Sequence, residues 1–165
     1  LINEFSDFAR MPKPIFKSND IIKLVNENIL LMNKLDSTIE INLESLEKKI
    51  FIKSDLEQLN RVFINLFKNS IESLNEKSTK NPSFSKKIDI EIIKKDDYIE
   101  INLIDNGIGF NTNKVKDLLK PYFTTKINGS GLGLPIINKI INDHNGNLKL
   151  IPGNEGAKIK INLPT

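Results

Sequence analysis

Apolar residues recur at helical spacing in three stretches of the chain, which cover residues 21–31, 55–76 and 134–144. In the second stretch one broad arc of the helix is apolar, whereas Asn65 and Asn69 lie on the other side, one turn apart. The pattern therefore predicts three amphipathic helices, the second of which presents a line of amide side chains.

Extended segments lie between these helices. Polar and apolar residues alternate over 87–94 and 98–105, two runs joined by a short polar turn, which predicts a β-hairpin. Further strands are predicted at 15–16, 38–43, 50–53, 148–151 and 158–163. The polar segment 77–85 contains one proline and is interpreted as a loop. Because the strands do not alternate regularly with helices, we expect an α+β fold, a two-layer α/β sandwich in which three main helices pack on one face of a mixed sheet.

Composition narrows the classes of function. A chain of 165 residues suits one domain with a proper core, and its net charge of +3 does not call for a nucleic acid partner. The sequence has no cysteine and a single histidine, which excludes disulfides, thiolate metal sites and multi-histidine metal centres. No apolar run approaches the roughly 20 residues of a membrane span. We therefore expect any membrane anchor of the intact protein to lie outside this chain.

A first glycine cluster follows the strand that ends at residue 105. Gly107 and Gly109 can form a tight wall, because glycine accepts positive φ and allows a ligand to approach the backbone closely. Asp105 can accept a hydrogen bond from an exocyclic amine, which adenine has and guanine lacks at the corresponding position. Such a motif also occurs in turns and calcium loops, so alone it is weak evidence for a nucleotide site.

A second glycine cluster, at residues 129–133, comes just before the third predicted helix. Free N–H groups and the helix dipole at such a terminus favour an anion. The cluster is not a P-loop, because no Lys-Ser or Lys-Thr pair follows it. The amide line that includes Asn69 has two interpretations, a solvated face or a surface turned to phosphates, and an amide oxygen suits Mg²⁺. The intervening segment, about 111–130, is placed to act as a lid.

Four segments in order resemble the successive ATP-site motifs of the sensor histidine kinase catalytic domain. They are Asn65 to Ser70, Asp105 to Gly109, Phe123 to Lys126 and Gly129 to Leu134. That domain shares the Bergerat (GHKL) fold with type II topoisomerases, Hsp90 and MutL. Residues 4–14 resemble the junction in nitrogen-regulation sensor kinases of the NtrY type. On this resemblance, residues 1–14 are the end of the dimerisation and phosphoacceptor helix with a hinge, and residues 15–165 are the catalytic domain.

The resemblance implies a role for each matching residue. Asn69 would ligate the Mg²⁺ that bridges the ATP phosphates, with Asn65 as its catalytic partner one turn earlier, and Asp105 would read the adenine amine above Gly107 and Gly109. Lys126 would be a catalytic residue that places a positive charge near the γ-phosphate. The remaining nucleotide-binding positions implied by the motifs are Thr124, Thr125, Gly129, Ser130, Gly131, Leu132 and Gly133.

Two further positions bear on the type of reaction. Glu72 departs from the pattern of the family, and Asn65 distinguishes the kinases from the ATPases of the fold. Many kinases of the family carry a basic residue where this chain has Glu72, so a phosphate contact there is in doubt. The ATPase relatives use a glutamate one turn before the Mg²⁺-binding asparagine, whereas an amide at Asn65 cannot act as a general base. Transfer to a protein side chain is therefore favoured over hydrolysis. The alternatives are an ATPase or serine-kinase relative and a non-catalytic nucleotide-binding regulatory module.

The phosphoacceptor is expected to lie outside this chain. His144 falls on the apolar stripe at a helix end, which favours a structural role, so we expect the acceptor histidine upstream. The resemblance implies ATP and Mg²⁺ as cofactors. It also implies a response-regulator receiver domain and the chain's own upstream dimerisation domain as partners, in a homodimer. We expect this domain to be cytoplasmic and the fragment alone to bind ATP without phosphorylating itself.

Overall fold

The computed structural model describes residues 10–110, 115–124, 129–153 and 155–165. In chain order the elements are β1 (Lys17–Asp20), α1 (Ile21–Leu35), β2 (Glu40–Glu44), β3 (Phe51–Ser54), α2 (Leu56–Lys80), β4 (Lys87–Lys94), β5 (Tyr98–Asp105), α3 (Gly133–Asp143), β6 (Asn147–Pro152) and β7 (Ala157–Pro164). A short 3₁₀ helix, Asp117–Leu119, precedes α3.

Five of the strands form one mixed sheet in the order β2-β4-β5-β7-β6. β2 runs parallel to β4, and the other neighbours are antiparallel. β1 and β3 form a separate two-stranded antiparallel ribbon. The predicted α+β sandwich, three helices on one face of a mixed sheet, is confirmed.

The core lies between the helices and one face of the sheet. Isoleucine and leucine at every second position of β4, β5 and β7 are buried, as the alternation of side chains across a strand requires. The opposite face carries polar side chains such as Asp89, Glu91 and Lys160, and Lys160 Nζ lies 2.6 Å from Glu100 Oε2. One face is therefore available to the helices, and the other is covered by long charged side chains.

Helices α1 and α2 begin at aspartate caps. Asp20 Oδ1 accepts from the N–H of Ile22 at 3.1 Å, and Asp55 Oδ1 accepts from the N–H of Gln58 at 3.0 Å. α2 continues to Lys80, so the predicted loop at 77–85 is wrong for its first four residues. Lys77 Nζ donates to the carbonyl of Asn106 at 2.7 Å and lies 4.7 Å from the centre of the Phe84 ring. These contacts, which involve residues distant in sequence, extend the helix.

One smaller difference concerns the first strand. The strand predicted at 15–16 begins two residues later, because pairing with β3 starts where Lys17 lies opposite Ser54. At the other end of the fold, Asn145 takes the left-handed conformation that ends α3, with φ 56°. Within the described residues, no helix is both long and apolar enough to cross a bilayer.

Candidate functional site

The carboxylate of Asp105 lies between β5 and α2. The residues of β5 that face the helices are 99, 101 and 103, so the alternation turns Asp105 to the same side. Its side chain is 3% exposed, and its Oδ2 accepts a hydrogen bond from Ser70 Oγ at 3.0 Å. Oδ1 accepts from the N–H of Gly107 at 2.9 Å. The strand's end thus presents a buried carboxylate directly against α2.

Burial raises the pKa of Asp105 above its ordinary value of 3.8. Hydrogen bonds from Gly107, Ser70, Ala157 and Ser73 act in the opposite direction, because each stabilises the ionised form. The effect of burial is the larger one, so the pKa is raised overall. A buried carboxylate is a strong hydrogen-bond acceptor and is suited to accept a further hydrogen bond from a ligand.

Glycines let three backbone segments meet beside Asp105. A Cβ on Gly107 would lie 2.2 Å from Ser73 Oγ, and one on Gly109, which has φ +74°, would lie 2.5 Å from the carbonyl oxygen of Gly156. A Cβ on Gly156 would lie 1.8 Å from the Asp105 carbonyl oxygen. Side chains at these positions would therefore force the segments apart.

Gly156 is a residue of this region that the sequence reasoning missed. It has φ +79° and immediately precedes β7, which pairs Ala157 with Asp105. A glycine two residues before the strand predicted at 158–163 was the available signal, since glycine allows close approach of another backbone. Nothing in the local sequence shows that the segment approached is the loop after β5.

Asn106 fastens the first glycine loop to its neighbours. Its Oδ1 accepts from the N–H of Lys87 at 2.9 Å, and its Nδ2 donates to the carbonyl of Ser85 at 2.9 Å. The Lys77 ammonium donates to the backbone carbonyl of Asn106. The side chain of Asn106 thus replaces strand pairing at the point where β5 ends, and it fixes where the loop leaves the sheet.

The asparagine line of α2 faces the start of α3. A Cβ on Gly133 would lie 3.6 Å from Asn65 Oδ1, 3.7 Å from Asn69 Nδ2 and 3.8 Å from Asn69 Oδ1. Asn65 Nδ2 donates to the carbonyl of Arg61 at 2.8 Å, which leaves Oδ1 on the side of Gly133. The structure therefore brings the amide line and the second glycine cluster together.

The second glycine cluster forms the N-terminus of α3. The N–H of Leu132 donates to Ser130 Oγ at 3.4 Å, and Leu132 is buried. Gly131, with φ +69°, allows the backbone of Tyr122 to approach, and the N–H of Tyr122 donates to the Gly131 carbonyl at 3.0 Å. Tyr122 itself has φ 65°, uncommon for a residue with a side chain.

Some predicted site residues lie outside the described part of the chain. Thr125 and Lys126 fall there, as do two segments of the predicted lid, at 111–114 and 125–128. Thr124 is described and exposed. The assignments of all these residues, and of the lid, stay predictions.

His144 is buried at the junction of α2 and α3. The N–H of Asp55 donates to its Nε2 at 3.0 Å, so Nδ1 carries the proton and donates to the Ile140 carbonyl at 2.8 Å. The ring of Phe16 packs edge-on at 5.2 Å between centroids. Both ring nitrogens are thus engaged inside the fold.

The oxygen donors near Gly133 fit a magnesium ion with a phosphate ligand. Mg²⁺ takes oxygen ligands and is usually held by one or two protein groups together with waters and phosphates. The described residues contain no cluster of three or more histidine or acidic side chains that could hold a metal on its own. Amide oxygens opposite an open helix N-terminus match the kind of site that is completed by a nucleotide.

Comparison with known proteins identifies the family. Residues 54–165 match the model of the histidine kinase-, DNA gyrase B- and HSP90-like ATPases. The chain belongs to this family. A sensor histidine kinase described as NtrY-like, from Rickettsia felis, is 34% identical over 162 residues, which are 98% of this chain and 26% of that protein. The resemblance to sensor histidine kinases of the NtrY type is therefore confirmed, and the chain spans about a quarter of such a relative.

Two solved histidine kinases share the fold. Full-length ShkA in complex with AMPPNP matches with a TM-score of 0.83 at 19% identity, over 99% of this chain and 35% of that one. The histidine kinase ThkA in complex with the response regulator TrrA matches with a TM-score of 0.80 at 21% identity, over 99% of this chain and 46% of that one. At these identities the comparison supports the fold of an ATPase-family catalytic domain.

Proposed function

We propose that this chain binds Mg·ATP and transfers its γ-phosphoryl group to a histidine of the intact sensor kinase. The observation that carries the proposal is that α2 joins both halves of the site. Ser70 bonds Asp105, and the preceding residue, Asn69, faces Gly133 together with Asn65. One helix therefore carries the amide proposed to bind Mg²⁺ and contacts, through Ser70, the carboxylate of β5 proposed to read the base.

The adenine would lie against Asp105. The carboxylate would accept a hydrogen bond from the exocyclic amine, while Gly107 and Gly109 let the loop pack closely on Ser73 and Gly156 beside it. Guanine would present a carbonyl oxygen to the same carboxylate and be disfavoured. This end of the site sets the choice of nucleotide.

The phosphates would lie between the asparagine line and the start of α3. Asn69, with Asn65 beside it, would hold Mg²⁺, which neutralises charge on the phosphates when it is bound. The first N–H groups of α3 and the helix dipole favour the same anion. Lys126 is proposed to lie near the γ-phosphate, where a cation stabilises charge in transfer.

The acceptor is proposed to be a histidine outside residues 1–165. His144 is the single histidine of the sequence, and its ring nitrogens are bonded to the Asp55 N–H and the Ile140 carbonyl. In the transfer, the bond from the γ-phosphorus to the β,γ-bridging oxygen breaks, a phosphorus–nitrogen bond forms on the acceptor ring, and ADP leaves. The acceptor ring loses its proton to solvent.

The wider roles follow the same family logic. The phosphoryl group would pass to an aspartate of a response-regulator receiver domain, and the complex of ThkA with TrrA supports a partner of that class. We also propose that residues 1–14 continue into a dimerisation and phosphoacceptor domain, that residues 15–165 form the catalytic domain with a lid at about 111–130, and that the domain acts in the cytoplasm.

Calorimetric titration with ATP and GTP, each with and without Mg²⁺, tests the binding half of the proposal. We expect ATP to bind more tightly than GTP and Mg²⁺ to strengthen ATP binding. Equal affinity for the two nucleotides would overturn the role of Asp105.

Transfer is tested by adding the upstream helical hairpin with its histidine. Labelling of that histidine supports the histidine kinase. Release of phosphate would favour the ATPase, and labelling of a serine would favour the serine kinase. Binding of ATP without transfer would favour the regulatory module.

A further inference from the structure

A buried hydroxyl on α2 contacts the carboxylate that is proposed to read the base. Ser70 is 2% exposed, and its Oγ lies 3.0 Å from Asp105 Oδ2. A second hydroxyl, on Ser73 one turn further on, lies 3.5 Å from Oδ1 and accepts from the N–H of Ile108 at 3.0 Å. Ser70 is therefore the helix residue with the close bond to the carboxylate.

We propose that Ser70 is a positioning residue for adenine recognition, whose hydroxyl fixes the orientation of the Asp105 carboxylate and keeps it a hydrogen-bond acceptor. This inference rests on the proposed function, because it concerns how the ATP site chooses its base. Nothing in the motif assignments gives Ser70 a role of its own.

Hydrogen-bond donors from two elements fix the orientation of the Asp105 carboxylate. The terminal torsion of an aspartate is broad, so a single donor does not fix the plane of its oxygens. Gly107 holds Oδ1 from the loop, while Ser70 holds Oδ2 from the helix. Donors on two separate elements determine the plane of the carboxylate and therefore the directions of its lone pairs.

Because Asp105 is buried, its ionised form depends on the hydrogen-bond donors around it. Burial raises the pKa of Asp105, and the bond from Ser70 is one of four that lower it. Loss of that bond raises the pKa further. A protonated carboxyl carries an O–H, which can donate to the carbonyl oxygen of guanine. The preference for ATP over GTP should therefore fade as the pH falls, and it should fade at a higher pH without Ser70.

The surrounding elements offer neutral groups to the carboxylate. α2 contributes the two serines, the loop contributes the Gly107 N–H, and β7 contributes the Ala157 N–H. Lys77 of α2 is bonded to the carbonyl of Asn106. The nearest strand lysines, Lys87 of β4 and Lys158 of β7, alternate onto the opposite face of the sheet. Among these groups, the Ser70 hydroxyl is the one that a conservative substitution can remove cleanly.

The test compares Ser70→Ala with a matched control, Ser54→Ala. Ser54 is also a buried serine, but it lies on β3, where its Oγ accepts from Asn19 Nδ2 at 3.3 Å. Dissociation constants for ATP and GTP are measured on residues 1–165 between pH 5 and pH 8. At pH 7, Ser70→Ala should weaken ATP binding about tenfold and GTP binding less than about twofold. The loss of ATP binding on acidification should also begin at a higher pH than in the wild type. Ser54→Ala should match the wild type.

Ser70→Cys provides a second variant that nearly conserves volume, and a thiol is a weak donor. Alanine is a better helix former than serine, so Ser70→Ala is expected to fold, and thermal unfolding checks the folding of both variants. Suppose that both variants keep the wild-type preference for ATP over GTP and lose ATP binding at the same acid pH as the wild type, while Asp105→Asn loses the preference. The role of Ser70 is then overturned and the proposed function stands. If the wild-type chain binds no nucleotide, the proposed function itself fails.

Discussion

Asp55 and Asp105 contact the same helix and differ in what their charge does. Burial raises the pKa of Asp55, but N–H donors of Ile15, Gln58 and Glu57 outweigh it, so the pKa is lowered overall. Asp105 also accepts several hydrogen bonds, yet it is more deeply buried and its pKa is raised. The ionised form of Asp55 therefore stabilises the fold, whereas that of Asp105 costs stability.

The surroundings of the two carboxylates explain the difference. Asp55 caps the start of α2, where Ile15 N–H donates to Oδ2 at 2.8 Å, and Gln58 Nε2 ties the carbonyl of Pro12 to the same end at 2.9 Å. Near Asp105, the helix meets glycine loops and amide side chains proposed to hold a ligand. The start of α2 therefore maintains the fold, whereas its middle, with Asn69 and Ser70, is proposed to bind a ligand. Four substitutions test this contrast.

Gly156→Ala should have the largest effect, because it disturbs the Asp105 side directly. The new Cβ would lie 1.8 Å from the Asp105 carbonyl oxygen, at φ +79°. We expect a loss of about 3 kcal/mol in the free energy of unfolding, measured by urea denaturation, together with loss of ATP binding. The control is Gly153→Ala, whose Cβ would meet its nearest atom at 3.4 Å. Similar stability of the two variants would contradict the close packing.

Asn69→Ala should separate transfer from folding. Removal of the proposed Mg²⁺ ligand is expected to slow Mg²⁺-dependent transfer to the upstream histidine at least ~100-fold. The free energy of unfolding should change by less than about 1 kcal/mol. Asn26→Ala, which removes an amide bonded to the Ile22 carbonyl on α1, serves as the control. Unchanged transfer by Asn69→Ala would refute the metal assignment.

Asp105→Asn should weaken ATP binding about tenfold and relax the preference over GTP. In the nucleotide-free chain it should raise the thermal midpoint at neutral pH. Because the folded pKa is raised, the stability linked to this group is fully present below the ordinary value of 3.8 and is lost as the pH rises through the folded pKa. The gain over the wild type should thus grow from pH 4 to pH 7, and a constant difference would argue against it.

Asp55→Ala should have the smallest effect and the opposite character. Loss of the cap should cost about 1 kcal/mol of unfolding free energy at pH 7, with ATP affinity unchanged. Since the folded pKa is lowered, this contribution is present above 3.8 and is lost as the pH falls through the folded pKa. Calorimetric unfolding from pH 2 to pH 7 measures it. An equal loss at both ends of that range would show that the charge is not involved.

Much of this contrast could be predicted from sequence, because it rests on local periodicity. Alternation along β5 gives the inward direction of Asp105, and helical spacing gives the amide line of Asn65 and Asn69. The extension of α2 from residue 77 to residue 80 could not be predicted. The groups that contact Lys77, Phe84 and Asn106, are brought there by the tertiary fold. The closeness of Gly156 to Asp105 depends on the pairing of β5 with β7, for which no local signal exists.

The meeting of Tyr122 and Gly131 has a practical use. The N–H of Tyr122 donates to the carbonyl of Gly131, so these two residues lie close together. Doubling the length of a flexible loop adds only about 0.6 kcal/mol of closure entropy, so an insertion between the two residues costs little. Since the sequence contains no cysteine, a single thiol introduced between these residues would be unique. A fluorophore attached there would give an optical reporter of nucleotide arrival and departure.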